Sequence, residues 1–288
     1  MEFITTEKYD RRRKYYMVLD CETATLPYAQ KFTGKARQDV AIAKPLIYDL
    51  GWQIIDRQGR VYDRKNFLIT EIFSVPAVFN TAYYASKRPI YLEKLRKGEI
   101  VLTDWNSAAA ELVKAMENCT AVGAYNSMFD FKKAIPFTEL YISKLYSPDY
   151  YDWERFQNRC CDEIARGRKP STKEFDGENF IFRDTKYPLF DIWGLSCEHL
   201  LNNDDYKRMC IENNWITASG NFFKTSAETA FRFHTGEMEF DEAHTALDDA
   251  IIESELLRAI LQPKAGNMQI GIMYFPFKIL GKVENFSY

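Results

Sequence analysis

Apolar and polar positions along the chain fall into blocks of two periods. Residues 15–20 (Tyr-Tyr-Met-Val-Leu-Asp) form a short apolar run of strand formers that ends in an acid. Two further strand-like blocks occupy 47–55 and 61–69, and Asp56-Arg57-Gln58-Gly59-Arg60 between them has a turn composition, which predicts a β-hairpin. Three strands in succession before any long helix suggest a meander opening a mixed sheet. The stretch 76–95 is aromatic and mostly helical in character. A clearer helix is predicted over 104–117, where Ala109, Leu112, Val113 and Met116 recur at helical spacing and Asp104 or Asn106 can cap. Residues 120–125 read as a buried strand, Asn126-Ser127 as a cap for the helix after it, and Pro136 as the point where that helix ends or kinks.

Further helices are predicted over 190–201 and 226–233. The last long one covers 243–261, with Leu247, Ala250, Ile251, Leu257 and Leu261 on one face. Between about 147 and 187 the composition turns to charge, with Gly, Pro and Ser between 167 and 177. Its first half sets Tyr150, Trp153, Phe156, Cys160 and Ile164 on one face of an amphipathic helix. This segment reads as an insertion packed on one main domain: a core over about 14–262, the insertion at about 147–187, and a C-terminal extension over 263–288. The tail from 266 alternates apolar and aromatic residues and is expected to add a strand or drape over the surface.

Composition changes this picture little. Hydrophobic residues make up 46% and charged residues 27% of the 288, the balance of a globular chain rather than a disordered one or a membrane bundle. A formal charge of −3 neither demands nor forbids a nucleic-acid partner, whereas the aromatic share of 15% draws attention to stacking. The polar, charged start carries no secretory signal, and nothing approaches the ~18 apolar residues of a spanning helix. Cysteines at 21, 119, 160, 161, 197 and 210 contain no C-x-x-C pair. The expectation is a cytoplasmic protein with reduced thiols and no membrane association.

Three acidic motifs carry candidate chemistry. In Asp20-Cys21-Glu22-Thr23 both carboxylates share one face of a strand and can reach one metal. Among 41 acids such a pair is expected roughly six times by chance, so its place at the end of a buried strand is what raises it. In Tyr125-Asn126-Ser127-Met128-Phe129-Asp130 the acid falls in the first turn of a helix, where a carboxylate commonly serves the helix dipole. The functional reading is that Asp130 leans over the strand ends to meet the first pair. The chain has three histidines, and His244 is followed by Asp249 at +5, a spacing expected about 0.2 times by chance. On a helix these residues diverge by about 140°. They converge only if His244 lies in the loop before the helix and Asp249 within its second turn. Held so, a histidine is suited to proton transfer near neutral pH. His199 and His234 read as surface or packing residues.

Taken in order, Asp20-x-Glu22, Asn126-x-x-Phe129-Asp130 and His244-x-Ala246-x-x-Asp249 resemble the motifs of the DEDDh (DnaQ-like) 3′–5′ exonucleases of the ribonuclease H-like superfamily. The resemblance spans about residues 14–262, with both intervals between motifs long for the family. It implies an α/β fold, a ribonuclease H-like mixed β-sheet flanked by helices, with a helical or irregular insertion between the second and third motifs. Asp20, Glu22, Asp130 and Asp249 become the carboxylates that bind two Mg²⁺ or Mn²⁺ ions, His244 the general base, and Asp248 a non-catalytic neighbour. Thr23, Ala24, Leu26 as an apolar wedge, Tyr125 and Asn126 would hold the 3′-terminal nucleotide. Many relatives have Gly where this chain has Thr25, a departure that bears on how closely the terminal sugar approaches.

The implied activity is metal-dependent hydrolysis of DNA or RNA from a free 3′ end, expected single-stranded, with release of nucleoside 5′-monophosphates. Four carboxylates and hard divalent cations suit one another without the family name. A polymerase or replication partner is compatible with a free-standing nuclease. Basic clusters at Arg11-Arg12-Arg13-Lys14, Lys87-Arg88, Lys94-Leu95-Arg96-Lys97 and Arg166-Gly167-Arg168-Lys169 are either solvated faces or tracks for a phosphate backbone. Phe79, Tyr83 and Tyr84 are candidates for base stacking or for a packed helix. The rival readings are a non-catalytic nucleic-acid-binding or assembly subunit that keeps the exonuclease fold, and a phosphoesterase for small nucleotides.

Overall fold

A computed structural model describes residues 9–10, 12–26, 45–146, 179–183, 185–261 and 280–286. The first apolar run extends beyond its acids into β1 (Tyr15–Ala24). It continues through β2 (Leu46–Asp56) and β3 (Val61–Ile69). The hairpin between β2 and β3 closes on Asp56, whose Oδ1 accepts the N–H groups of Gln58 and Arg60, while Gly59 supplies the left-handed turn at φ 83°. Strands β4 (Val101–Thr103), β5 (Ala121–Ala124), β6 (Asn179–Phe182) and β7 (Thr185–Asp191) complete one seven-stranded sheet in the order β4-β3-β2-β1-β5-β7-β6. The meander β1–β3 is antiparallel, whereas β5 and β7 run parallel to β1, so the sheet is mixed.

Seven helices of eight or more described residues flank it: α1 (Arg88–Lys97), α2 (Trp105–Met116), α3 (Ile135–Leu145), α4 (Ile192–Leu201), α5 (Asp204–Glu212), α6 (Ala227–Thr235) and α7 (Ala246–Leu261). Alternation along β1 sorts the core. Tyr15, Met17, Leu19 and Cys21 face a layer that contains Trp105 and Leu112 of α2 and Ile135 and Ile142 of α3. Tyr16 and Val18 face Ile192 and Leu195 of α4 and Ala250, Leu257 and Leu261 of α7. Helices on both faces bury every residue of β2. A further cluster joins α4, α5 and α6 around Trp215 and Phe223.

Several sequence expectations need correction. Phe190 and Asp191 end a strand rather than begin a helix, and Asp191 caps α4 by accepting the Gly194 N–H. Pro188 within that run obscured a strand. The expected insertion therefore ends earlier than 187, because its last residues build β6 and β7 in the sheet; residues 147–178, including the helix expected from Tyr150 to Ile164, lie outside the described residues. Asn126 does not cap with its side chain; it adopts φ 81°, and the neighbouring Ser127 Oγ ties Ala124 N to Phe190 O. Pro136 neither ends nor begins the helical run. The chain winds through Ser127–Phe129 and a π turn at Asp130–Ala134 into α3. The missing Pro136 N–H deprives the preceding turn of an α-type bond, a physical reason for widening there. The polar α5 escaped prediction, and of the C-terminal tail only residues 280–286 are described, where Lys282 bridges Phe222. Cys21, Cys119, Cys197 and Cys210 are free thiols. Among the described residues no helix is long and apolar enough to cross a membrane.

The seating of α7 on the sheet depends on one missing side chain. Gly51 pairs with Asp20 across β1 and β2, and a methyl group there would overlap the backbone of Ala246 and Leu247. The Gly51→Ala variant is expected to lose about 1–3 kcal/mol of stability by overpacking against a rigid backbone. Urea unfolding measures this, and an unchanged midpoint would show that α7 does not rest on Gly51.

Candidate metal centre

The carboxyl ends of the parallel strands β1, β5 and β7 meet at one edge, the position at which open α/β sheets present ligand sites. Asp20 and Glu22 stand there on the α7 side of β1, followed by a register shift between Glu22 and Thr23. Asp130 arrives from the π turn after β5 and is 2% exposed. Asp249 lies in the first turn of α7, one turn earlier than expected, and His244 in the loop before it at φ 50°. The predicted loop-to-helix convergence is present: the His244 N–H donates to Asp249 Oδ1 at 3.2 Å. Glu22, His244 and Asp249 each offer a donor atom within 4.8 Å of the others.

A carboxylate absent from the motifs anchors this geometry. Asp49, opposite Glu22 on β2, is fully buried; its Oδ2 accepts the Ala246 N–H at 2.9 Å and its Oδ1 the Asn66 amide at 2.5 Å. Burial pushes Asp49 up to about 6, with these two donors working against the rise. Glu253, one helical turn beyond Asp249, is buried and accepts the Tyr125 N–H at 3.2 Å. Its i, i+4 relation to Asp249 was available in the sequence; the importance of Asp49, hidden in an apolar strand, was not. Glu242 Oε2 lies 3.7 Å from His244 Nδ1, and Asp249 Oδ2 3.9 Å.

Crowding sets the electrostatics. Burial, then the charges of Asp130 and Asp49, raises Asp20 far above the carboxylate range. Burial with Asp20, Asp49 and Asp249 nearby raises Glu22, and burial with Asp20 and Glu242 raises Asp249. Asp130 and Glu253 rise chiefly through burial, and Glu242 is pushed up to about 7 by burial and Glu228. His244 moves down, first through burial and then through the Lys87 ammonium. The donor set fits a hard divalent cation: carboxylates dominate, and the buried Oδ1 of Asp130 has no hydrogen-bond partner.

The surroundings divide the remaining candidates. Asp248 turns away, accepting Lys94 Nζ at 2.5 Å and Thr245 Oγ1 at 2.6 Å. Lys87 Nζ donates to the Ala243 carbonyl, so two of the basic clusters do border the site. Arg12 and Arg13 do not: they precede the opposite end of β1, about 20 Å away at ~3.3 Å per residue, where Arg12 pairs with Asp10 and Arg13 with Tyr62. Arg166, Arg168 and Lys169 lie outside the described residues. Thr23 is partly exposed and Ala24 buried, while Leu26 is 6% exposed within the apolar core rather than projecting as a wedge. The Tyr125 hydroxyl is committed to the Thr225 carbonyl, and Asn126 donates its backbone N–H to Asp191. Phe79 is core, Tyr83 is 89% exposed, and Tyr84 stacks on His244. His199 and His234 stack on each other away from the carboxylates, where burial and then His199 lower His234 to about 4.

Compared with models of known families, with curated proteins and with solved structures, the chain matches none of them.

The raised carboxylates favour protonation in the folded state, so the folded chain holds more protons than the unfolded one above the ordinary range near 4. Stability must then fall as pH rises through the raised values. The lowered His244 acts in the opposite sense but is outnumbered. Thermal unfolding of the protein in a chelator is expected to show a melting temperature that declines from about pH 5 to about pH 8. Mg²⁺ or Mn²⁺ should restore more at the higher pH, and a flat profile without a metal response would refute a cation-binding cluster.

Proposed function

We propose that this chain is a metal-dependent 3′–5′ exonuclease with a ribonuclease H-like fold, acting on DNA or RNA with a free 3′ end. The observation that carries this reading is the convergence of Glu22 from the first strand, His244 from the loop before the last long helix and Asp249 from that helix, beside Asp20 and Asp130. The strand order around it supports the same reading: an antiparallel meander followed by parallel strands, with the acids at their carboxyl ends.

Asp20, Glu22, Asp130 and Asp249 would hold two Mg²⁺ or Mn²⁺ ions. Ions held there would supply positive charge to offset the charge that builds on a phosphodiester under attack. His244 supplies the base. Its Nδ1 faces Glu242 and Asp249, and with the proton on that nitrogen Nε2 accepts the proton of the attacking water. The lowered affinity of His244 for a proton keeps the imidazole neutral near pH 7, as a base requires. The water oxygen bonds to phosphorus as the bond from phosphorus to the penultimate nucleotide's 3′ oxygen breaks; that oxygen takes up a proton from solvent and stays on the shortened strand as a hydroxyl, and the terminal nucleotide departs as a 5′-monophosphate. Lys87, at the rim, offers positive charge to the strand, so binding should weaken with salt.

The test is a time course on 5′-labelled single-stranded DNA and RNA oligomers with Mg²⁺, Mn²⁺ or EDTA. The native chain should give a ladder that shortens from the 3′ end and vanishes in EDTA. Asp249→Ala should abolish it. Asp248→Ala should keep most of it, since that side chain serves Lys94 and Thr245, a part-exposed pair worth no more than about 1 kcal/mol. Metal-dependent binding without cleavage would favour the non-catalytic subunit. Cleavage of a mononucleotide ester but not of an oligomer would favour the small-nucleotide phosphoesterase.

A further inference from the structure

His244 is held by a segment that belongs to none of the three motifs. The Tyr84 ring lies parallel to the imidazole, with centroids 4.4 Å apart and an interplanar angle of 13°. On the same short segment, Lys87 Nζ sits 4.9 Å from the centre of the Tyr84 ring and donates to the carbonyl of Ala243, the residue before His244. Tyr83 packs edge-on against Tyr84 at 4.8 Å. One face of the imidazole is thus covered and the backbone beside it is tied down.

The backbone needs this. His244 adopts φ 50°, a left-handed conformation that only a few per cent of non-glycine residues take, His among the more tolerant of them. Such a residue persists only where its surroundings over-determine it. Two sets of local contacts hold it: the His244 N–H to Asp249, and the approach of Nδ1 to Glu242, just before the third motif, and to Asp249. Both constrain the backbone and one edge of the ring, and neither fixes the plane of the ring. The faces of the ring are left to other contacts, and the Tyr84 ring covers one of them.

We propose that Tyr84 is a positioning residue, and that with Lys87 it forms a clasp that fixes the plane of the His244 ring toward Glu22 and Asp249. This rests on the exonuclease reading for its catalytic consequence, but the clasp itself is a property of the chain alone. Stacking requires an aromatic ring and not a hydroxyl, so phenylalanine should serve and leucine should not.

The experiment has two readouts. In the protein without metal, the His244 ring C–H resonances, assigned with His244→Gln, should carry an upfield ring-current shift. Tyr84→Phe should keep the shift, Tyr84→Leu should remove it, and Lys87→Met should reduce it. In hydrolysis of a labelled oligomer, Tyr84→Leu should lower kcat roughly tenfold to a hundredfold with KM nearly unchanged, the size expected for a displaced catalytic group. Tyr84→Phe should restore kcat. Identical histidine resonances in the native and Tyr84→Leu proteins would overturn the clasp, as would a native kcat in Tyr84→Leu. If the native chain hydrolyses nothing, the exonuclease reading fails, and the resonances still decide whether Tyr84 holds His244.

Discussion

A single hydrogen bond, from the Ala246 N–H to the buried carboxylate of Asp49, determines where the last helix begins on the sheet. An unpaired carboxylate at that depth is costly, so the first amide of α7 and the amide of Asn66 must both reach it. Only because Gly51 lacks a side chain can the helix backbone come so near. Once α7 starts there, Asp249 must overhang Asp20 and Glu22, and the residues before it must turn sharply, which leaves His244 in its left-handed conformation. The candidate centre is therefore a product of helix seating as much as of its own acids.

The same geometry concentrates negative charge where water is scarce. Asp20, Glu22, Asp130, Asp249 and Glu253 each carry a proton affinity above the ordinary one, and mutual repulsion adds to burial in most of them. A fold gains nothing in stability from such an arrangement by itself. Clusters of this kind are characteristic of sites that exchange protons or take up cations, and the fold compensates with apolar layers on both faces of β2 and with the lysines of α1 and its approach.

Much of this was legible before any coordinates. Two strand-like blocks with a turn-forming separator identified the β2–β3 hairpin to within a residue, because the separator leaves few alternatives for where the chain reverses. Asp104 and Ser226 were recognisable at helix starts and do cap α2 and α6. The +5 spacing of His244 and Asp249 demanded a loop followed by a helix, and that is the local structure. Other features depended on tertiary contacts that no local pattern encodes. Asp49 and Gly51 look like interruptions of a strand until α7 is laid across them. Tyr84 meets His244 across 160 positions of chain, and Pro188 hid β7 because the rule against proline applies weakly near a sheet edge. The basic cluster before β1 was adjacent in sequence to the first motif but stands at the other end of a ten-residue strand.

The π turn at Asp130–Ala134 gives the second motif an independence of its own. Within an unbroken α-helix, every side chain is locked in azimuth to every other, so adjusting the packing of the distal half would swing the proximal half by the same angle. A five-residue turn inserts a phase break. Ile135 and Ile142 of α3 can answer to the apolar layer behind the sheet while Asp130, at the start of the turn, answers to the strand ends. The distal helix can thus drift in sequence and in packing without dragging the carboxylate with it, and the centre is insulated from change in the very element that delivers one of its members.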